Sequence, residues 1–522
     1  MKNKLNKYFN DNELEGFGAF YKITNKHENY GIEKGKLILV TAINPTPSGE
    51  GKTTTLIGIN DCLNYFGESS LACLRQPSVG PFFGIKGGAT GSGECEIINA
   101  RKINSGFTGD FYAIETANNL ILSVIENEVY FSTDLKIDPK RILWKRCIDI
   151  NDRSLRNINY FIKENIEINT DFTITAASYL MALFCLAKDK YDFRKRLEDT
   201  IVAFDYSNSP VYLRDLKIID SIMLILEDAL KPNVAFSKQN NPIIIHGGPF
   251  ANIAHGCNTL IALKNALKRS EYVLTEAGFG AELGAEKFID ILCRESGLKP
   301  GLIVLTTTLK ATIYHGEQIA KIKNKIISTK ETIDLGFENI RYHMNVLKKY
   351  NPNVCIIINK FTNDNLEDLM YLKLKCDNIA STVISTMWQD GPSKNIDVYK
   401  MIKENYKNSD FELNYIYDLN DSVINKITLL SKKIYNASNV IFSDKALSKI
   451  KENNKWIDGY YICGAKTPYS VSTSIDFKTF EKQEVVVEDI EINHAAKFVI
   501  PIFSKIFLMP GLPKNPNAKN KF

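Results

Sequence analysis

The segment around Lys52 contains the residues whose types and spacing best indicate chemistry. Gly49 and Gly51 precede this lysine, and the hydroxyl residues Thr53 and Thr54 follow it. Glycines let successive backbone N–H groups face an anion, and the helix that follows presents its positive end to the same anion. The lysine adds a point charge, and a hydroxyl of Thr53 or Thr54 can reach Mg²⁺, as in a P-loop. The segment therefore predicts a loop that binds the phosphates of ATP.

The residues on either side of this loop support the prediction. Leu37–Ile43 is an apolar, β-branched run typical of a buried strand, and the apolar residues after the loop recur at helical spacing. These residues are Leu56, Ile59, Leu63 and Phe66. The pattern G-x-x-x-x-G-K-[ST] is incomplete, because Thr46 stands at its first glycine. The alternative interpretation is a glycine-bearing connection with a surface lysine.

Arg75 directly follows a second strand-like run, Leu71–Leu74. If that strand lies beside the first, the guanidinium can hold a phosphoryl or acyl-phosphate group through paired N–H donors. A structural ion pair explains a lone arginine equally well. Residues 80–93, which come next, are rich in glycine and include Lys86. Such a loop suits the close approach of a ligand.

Other segments of the chain carry polar or aromatic candidates. Asp110 precedes a helical pattern, so it is either an N-cap or a carboxylate that stabilises a reacting amine. His246 and His255 lack the spacing of a metal site, and we expect turn and helix-start roles, with a helix over 254–267. Phe361 and Trp388 offer flat faces to an aromatic ligand, although isolated aromatic residues more often belong to a core.

The dipeptide Asn359–Lys360 resembles the start of the guanine-binding pattern N-K-x-D. Thr362 stands where that pattern requires Asp, which excludes GTP on this criterion.

Six apolar runs alternate with helical patterns, which predicts an α/β fold with a P-loop NTPase-like, mostly parallel sheet flanked by helices and smaller C-terminal α/β domains. We expect a nucleotide-binding domain over 1–335 with a helical insertion at about 107–230, a second α/β domain over 336–435, and a small domain over 436–522 with a loosely held tail. The six runs are Leu37–Ile43, Leu71–Leu74, Ile243–Ile245, Tyr272–Thr275, Leu302–Leu305 and Val354–Ile358.

Composition excludes several classes of protein. The 522 residues have a net charge of only +5 with scattered basic residues, which argues against a nucleic-acid binder. The ten cysteines form no C-x-x-C pair, so we interpret them as reduced, buried thiols of a cytoplasmic protein. No secretory signal is evident, and the longest apolar stretch, 174–187, is too short to cross a membrane.

Several of these motifs together resemble the formate–tetrahydrofolate ligase family (10-formyltetrahydrofolate synthetase) over nearly the whole chain. They are Thr46 to Thr55, Arg75 to Ser78, Gly84 to Gly88, Phe107 to Asp110, His246 to Cys257, Thr275 to Lys287 and Met509 to Pro513. The resemblance implies that formate attacks Mg-ATP to give formyl phosphate, and that N10 of tetrahydrofolate, or its polyglutamate, then displaces phosphate. It further implies a homotetramer activated by K⁺ or NH₄⁺.

The resemblance also implies roles for individual residues. Lys52 and Arg75 would hold the transferring phosphoryl group, Asp110 would stabilise the developing cation on the folate amine, and Thr53 would bind Mg²⁺. The implied folate-binding residues are Phe361, Trp388 and Gln76. The implied ATP-binding residues are Thr46, Pro47, Ser48, Gly49, Glu50, Gly51, Lys52, Thr53 and Thr54.

Some positions depart from the family pattern on the predicted formyl-transfer side. Gln76 stands where the family usually has Glu, and the other departures are Gly106, Tyr112, Lys310 and Glu128. Two alternatives therefore stay open. One is a relative that binds ATP and folate with impaired or lost ligation, and the other is a P-loop ATPase switch protein.

Overall fold

The computed structural model describes residues 2–24, 33–47, 49–84, 88–252, 254–322, 327–351, 353–407, 412–473, 480–503 and 507–520. Two parts of the predicted site lie outside these residues. They are Ser48, in the loop before Lys52, and residues 85–87 of the glycine-rich segment, with Lys86 among them.

A ten-stranded, mostly parallel sheet forms the centre of the molecule. Its strands, numbered along the chain, are β1 Leu14–Phe17, β2 Phe20–Ile23, β3 Lys36–Ala42, β4 Ser70–Leu74, β5 Asn233–Phe236, β6 Pro242–Ile245, β7 Tyr272–Glu276, β8 Leu302–Thr308, β9 Val354–Asn359 and β10 Thr382–Ser385. The spatial order is β1-β2-β5-β6-β4-β7-β3-β8-β9-β10. The seven strands from β6 to β10 in that order are parallel, and β1, β2 and β5 pair antiparallel at one side.

Burial on both faces explains why the central strands read as continuous apolar runs. Every residue of β4, β6, β7 and β8 is buried, as expected for parallel strands covered by helices on each side. All six predicted runs are strands of this sheet, so the predicted mixed α/β fold with a large, mostly parallel central sheet is confirmed.

Helices flank the sheet. The main ones are Lys52–Tyr65, Leu260–Leu267, Leu309–Ile322, Thr329–Tyr350, Leu366–Asp377 and Ile396–Asn405, and shorter ones are Lys2–Leu5, Val79–Phe83, Ala100–Asn104, Gly284–Lys287, Arg294–Ser296 and Met387–Asp390. The helix expected over 254–267 begins only at Leu260, because the hydroxyl of Thr259 accepts the Ala262 N–H at 3.1 Å and caps it there. His255 therefore precedes the helix.

The predicted helical insertion contains strands as well as helices. Its helices are Asp110–Phe131, Tyr179–Leu186, Lys190–Glu198 and Ile219–Ile225, and its strands are Ile137–Ile142, Cys147–Ile148, Ile158–Lys163, Ile166–Thr170, Thr173–Ile174, Ile201–Asp205 and Pro210–Tyr212. The expectation of a mostly helical segment missed these strands. They are short, and several are only partly buried, which leaves a weak sequence signal.

The chain beyond residue 335 does not separate from the sheet where we predicted. Residue 336 lies inside the helix Thr329–Tyr350, and β9 and β10 beyond it belong to the central sheet. Later elements form smaller sheets and helices: the strands Ala437–Phe442, Tyr461–Ile462, Gln483–Val487, Asp489–Asn493 and Phe498–Ile502, and the helices Val423–Ile434, Asp444–Ile457 and Asn517–Asn520. No helix within the described stretches combines the length and apolar character needed to cross a membrane.

The C-terminal tail is attached to the body of the protein, contrary to the expectation that it is loosely held. The Asn517 backbone N–H donates to the Gly84 carbonyl at 2.8 Å, and its side chain donates to the Phe82 carbonyl at 3.0 Å. Arg156 donates to the Met509 carbonyl at 2.8 Å. These contacts are between residues hundreds of positions apart, which local composition does not reveal.

A buried ion pair connects the edge of the sheet to the long helix Asp110–Phe131. Lys22 of β2 lies 3.0 Å from the Asp110 carboxylate, and both side chains are at most 2% exposed. Asn233, which pairs with Lys22 across β2 and β5, donates to the other carboxylate oxygen at 2.6 Å. Three distant parts of the chain therefore meet at one buried carboxylate.

We expect Lys22→Met to lower the free energy of unfolding by about 3–5 kcal/mol at pH 8, because it leaves the carboxylate of Asp110 buried without a cation. Burial raises the pKa of Asp110 to about 6 even beside Lys22. The folded state therefore keeps a proton that the unfolded chain releases, and stability increases as the pH falls through the raised pKa. Without Lys22 this pKa rises further, so the loss should be smaller at pH 5.

Chemical unfolding at pH 5 and pH 8 measures this difference. Lys330→Met is the control, because it breaks the exposed pair with Glu367 at 2.9 Å and should change stability little at either pH. A loss in Lys22→Met that is the same at both pH values would contradict the expectation.

Candidate functional site

Parallel pairing brings the predicted site residues to one edge of the sheet. β3 lies between β7 and β8, and β7 also pairs with β4. The loop before Lys52 follows β3, Arg75 follows β4, and Glu276 is the last residue of β7. Because the carboxyl ends of parallel strands share an edge, these side chains converge there.

The loop after β3 has the backbone conformation that its glycines permit. Gly49 and Gly51 both have φ of +75°, and Gly51 is the residue just before the helix Lys52–Tyr65. The Thr46 backbone N–H donates to Glu50 Oε1 at 2.5 Å, and Lys52 Nζ lies 3.6 Å from Glu50 Oε2. Glu50 therefore braces the loop from inside and faces the lysine.

Glu276 joins the loop to Arg75, a role that the sequence pattern did not predict. Thr53 Oγ1 donates to Glu276 Oε2 at 2.7 Å, and Arg75 Nε lies 3.8 Å from Glu276 Oε1. The oxygen Oε1 is buried and has no hydrogen-bond partner among the described residues. An acidic residue that ends a buried apolar strand beside β3 was the available signal for it.

Carboxylate and hydroxyl oxygens are the ligands that Mg²⁺ prefers. The pairing of Thr53 with the partly unsatisfied Glu276 therefore fits the predicted magnesium position. Neither here nor at any other place in the described part of the chain are three or more His, Cys, Asp or Glu side chains arranged to hold a metal ion.

A small pocket of about 90 Å³ lies beside Arg75. Gln76, Gly248, Phe250, Gly278 and Phe279 contribute to its lining. The Gln76 side-chain amide donates to the Thr108 hydroxyl, and its carbonyl oxygen is buried without a partner among the described residues. A pocket of this size next to a guanidinium suits a small anion.

Phe361 and Trp388, which follow β9 and β10, lie together as expected. Their ring centroids are 6.3 Å apart, and their planes are inclined by 60°. Lys310 Nζ lies 5.2 Å from the centroid of Phe361. Trp388 Nε1 lies 3.1 Å from Ser92 Oγ, which is 3.4 Å from Thr54 Oγ1 in the helix that follows the loop. The two aromatic faces are therefore adjacent to the predicted phosphate site.

Asn359 connects β9 to the same loop. Its side-chain amide lies 2.8 Å from Thr55 Oγ1 and donates to the Glu50 carbonyl at 3.2 Å. A Cβ atom at Gly51 would lie only 2.9 Å from Asn359 Nδ2. The asparagine of the incomplete N-K-x-D pattern thus supports the loop.

Asp110 occupies a different environment from the residues above. Its carboxylate is held by Lys22 and Asn233, and it is not open to the sheet edge where the residues above converge, since Asp110 is 1% exposed. The N-cap interpretation was wrong, because Gly109 is the N-cap and Asp110 is the first residue of the helix. Its neighbour Tyr112 is 74% exposed.

The two histidines are buried and neutral. His246 Nδ1 lies 2.6 Å from the Thr259 hydroxyl, and its Nε2 lies 2.6 Å from the Ala229 carbonyl, which fixes the turn before the helix Leu260–Leu267. Burial lowers the pKa of His246 and of His255 to about 3. The predicted turn role of His246 is confirmed.

Comparisons with known proteins identify relatives along the whole chain. The family model described as formate–tetrahydrofolate ligase matches residues 7–521. A formate–tetrahydrofolate ligase from Malacoplasma penetrans is 63% identical over 519 residues, which cover 99% of this chain and 98% of the relative. A protein of the same name from Ureaplasma parvum is 43% identical over 100% of this chain and 98% of the relative. Another, from Pelagibacter ubique, is 41% identical over 93% of this chain and 87% of the relative.

We expect Gly51→Ala to abolish or strongly weaken ATP binding. The alanine pays about 1–2 kcal/mol for a left-handed conformation, and its Cβ would also displace Asn359 and so disturb the loop. Titration of ATP by calorimetry measures the effect. Gly459→Ala is the matched control, because Gly459 has the same φ of +75° and open space around it. If both variants bind ATP equally well, the loop does not depend on this contact.

Proposed function

The chain belongs to the formate–tetrahydrofolate ligase family, and we propose that it joins formate to tetrahydrofolate at this sheet edge, with formyl phosphate as the intermediate. The observation that carries the proposal is the contact of both Thr53 and Arg75 with one carboxylate, Glu276. Through this carboxylate, a P-loop NTPase-like phosphate loop is connected to an arginine that lies beside a pocket for a small anion. Thr46 to Thr54 would surround the phosphates of the nucleotide.

In the first step, an oxygen of formate attacks the γ-phosphorus of ATP. The new O–P bond gives formyl phosphate as the bond to the β-phosphate breaks, and ADP leaves. Negative charge is spread over the transferring group, so catalysis depends on positioned cations. Lys52, at the start of the helix after the loop, and Arg75, at the end of β4, would supply them. Mg²⁺, bound through Thr53, would supply further charge neutralisation at the phosphates.

In the second step, N10 of tetrahydrofolate attacks the formyl carbon, the C–O bond to phosphate breaks, and the phosphate leaves with the electron pair of that bond and takes up the proton that N10 loses. Phe361 and Trp388 would bind the flat pterin ring by stacking, which suits their adjacent, half-buried faces. Gln76 would contact the folate next to Arg75. The proposed action of Asp110 on the folate amine requires that its bond with Lys22 opens, because its carboxylate is buried.

The homotetramer, the activation by K⁺ or NH₄⁺ and the cytoplasmic location remain predictions from sequence and resemblance. The competing hypothesis is a relative that binds ATP and folate without ligation. It rests on the departures at Gln76, Gly106, Tyr112, Lys310 and Glu128. Of these, Gln76 lines the pocket beside Arg75, and Lys310 lies near Phe361.

The proposal predicts 10-formyltetrahydrofolate when purified protein receives formate, Mg-ATP, tetrahydrofolate and K⁺. Lys52→Ala should lower the rate by about 10²–10³-fold, the usual effect of removing one group that stabilises the transition state. It should leave the fold intact, because Lys52 is the first residue of its helix and its ion pair with Glu50 is long, at 3.6 Å.

Lys330→Ala, far from the loop in sequence and exposed, is the control for a lost lysine. ATP binding without any formylated product in the unaltered protein would refute ligation and favour the competing hypothesis.

A further inference from the structure

A buried polar network holds the residue from which the phosphate loop begins. Asn44 lies two residues beyond β3 and is fully buried. Its side-chain amide donates to Glu282 Oε1 at 2.7 Å and to the Pro468 carbonyl at 3.2 Å. Asn339 donates to its side-chain oxygen at 3.1 Å, and His315 Nε2 lies 3.0 Å from its backbone carbonyl. The end of the loop next to β3 is therefore held by contacts with four different residues.

The carboxylate in this network has two further partners. Lys466 Nζ lies 3.1 Å from Glu282 Oε1, and His343 Nε2 lies 2.9 Å from Oε2, with all three side chains fully buried. Lys466 also donates to the carbonyls of Thr467 at 2.9 Å and Ser470 at 2.6 Å. Its three ammonium hydrogens thus have three acceptors.

The neighbours of Glu282 stabilise its ionised form. Burial alone would raise the pKa of Glu282, but the charge of Lys466 and the hydrogen bond from His343 lower it to about 2. A buried ion pair adds little net stability, because desolvation offsets the attraction. Its directional bonds nevertheless fix the positions of the groups attached to it. The group attached here is Asn44.

The loop has a second support at its other end, where Asn359 donates to the Glu50 carbonyl. Binding of phosphate requires that the backbone N–H groups between these two supports point at the anion. If the support at Asn44 is lost, the strand end of the loop can shift while the helix end stays in place. Such a shift would weaken binding of ATP more than it would affect other substrates.

We propose that Lys466 is a positioning residue of the nucleotide site, acting through Glu282 and Asn44 to fix the start of the phosphate loop. The segment from Lys466 to Ser470 then helps to set the geometry of the ATP site, although the phosphate loop itself follows β3 of the central sheet. The proposal rests on the proposed function in one respect only, namely that this loop binds ATP.

The chain provides a matched control for the test. Lys426 is also fully buried, and its ammonium group donates to the backbone carbonyls of Leu419 at 3.2 Å and Tyr460 at 2.8 Å. Burial lowers the pKa of Lys426, as it lowers that of Lys466. Lys426→Met and Lys466→Met each remove a fully buried ammonium group that donates to two backbone carbonyls. Of the two, only Lys466 also contacts a carboxylate, and that contact joins it to the network around Asn44. Thermal melting measures the loss of stability in each variant separately from its ATP affinity.

The experiment measures ATP affinity by calorimetry, with steady-state kinetics and thermal melting on the same proteins. Lys466→Met and Asn44→Ala should each raise the dissociation constant and the KM of ATP about tenfold, which is about 1.4 kcal/mol. The KM values of formate and tetrahydrofolate should stay within about twofold. Because the two residues act through one network, the dissociation constant of ATP for the double variant should be no higher than that of the single variant with the lower ATP affinity.

Lys426→Met should lower the melting temperature but keep ATP affinity within about twofold of the unaltered protein. Unchanged ATP affinity in Lys466→Met, or an equal loss in Lys426→Met, would overturn the proposal. If Lys466→Met does not fold, Asn44→Ala takes its place in the test, and unchanged ATP affinity in Asn44→Ala would likewise overturn the proposal. ATP affinity is measured without formate or folate, so failure of the ligase assay would refute the proposed function and leave this test valid.

Discussion

Parallel pairing of β4, β7 and β3 is the constraint on which the site depends. It brings Arg75, Glu276 and the loop before Lys52 to one sheet edge, although they lie up to about 225 residues apart in the chain. Each strand alone ends in an ordinary polar loop. Side by side, they present two cations, a carboxylate and a helix start to the same space, as the transfer of a phosphoryl group requires.

The acidic partners in this space position the cations without neutralising them fully. Lys52 lies 3.6 Å from Glu50, and Arg75 Nε lies 3.8 Å from Glu276, whereas charge-assisted hydrogen bonds are about 2.7–2.9 Å long. Arg75 Nη1 also donates to the Pro249 carbonyl at 3.4 Å, so the Lys52 ammonium and the remaining Nη hydrogens of Arg75 are the donors available to an anion. The shorter contacts, such as Thr46 to Glu50 and Asn44 to Glu282, hold the loop itself. The groups that fix the geometry of the site are thus distinct from those that we propose to bind the substrate.

The sequence was informative where structure follows from local pattern. The six central strands, the strand, loop and helix around Lys52, and the position of Phe361 after a strand were predictable from apolar runs and turn residues. The short strands of the insertion, the pairing of Lys22 with Asp110, the role of Glu276 and the network around Asn44 were not. The insertion strands are short and several are only partly buried, which leaves a weak signal. Each of the other three depends on contacts between residues far apart in the chain, and the Asn44 network spans more than 400 positions. A one-dimensional pattern contains no signal for which buried lysine meets which carboxylate.

Transfer of oxygen from formate to phosphate tests the central claim most directly. If Lys52 and Arg75 stabilise formyl phosphate, one oxygen of formate becomes bonded to phosphorus and leaves with the phosphate when N10 attacks the formyl carbon. Formate labelled with ¹⁸O should therefore give inorganic phosphate with one labelled oxygen for each 10-formyltetrahydrofolate formed, as measured by mass spectrometry. Unlabelled phosphate alongside formylated product would contradict the account.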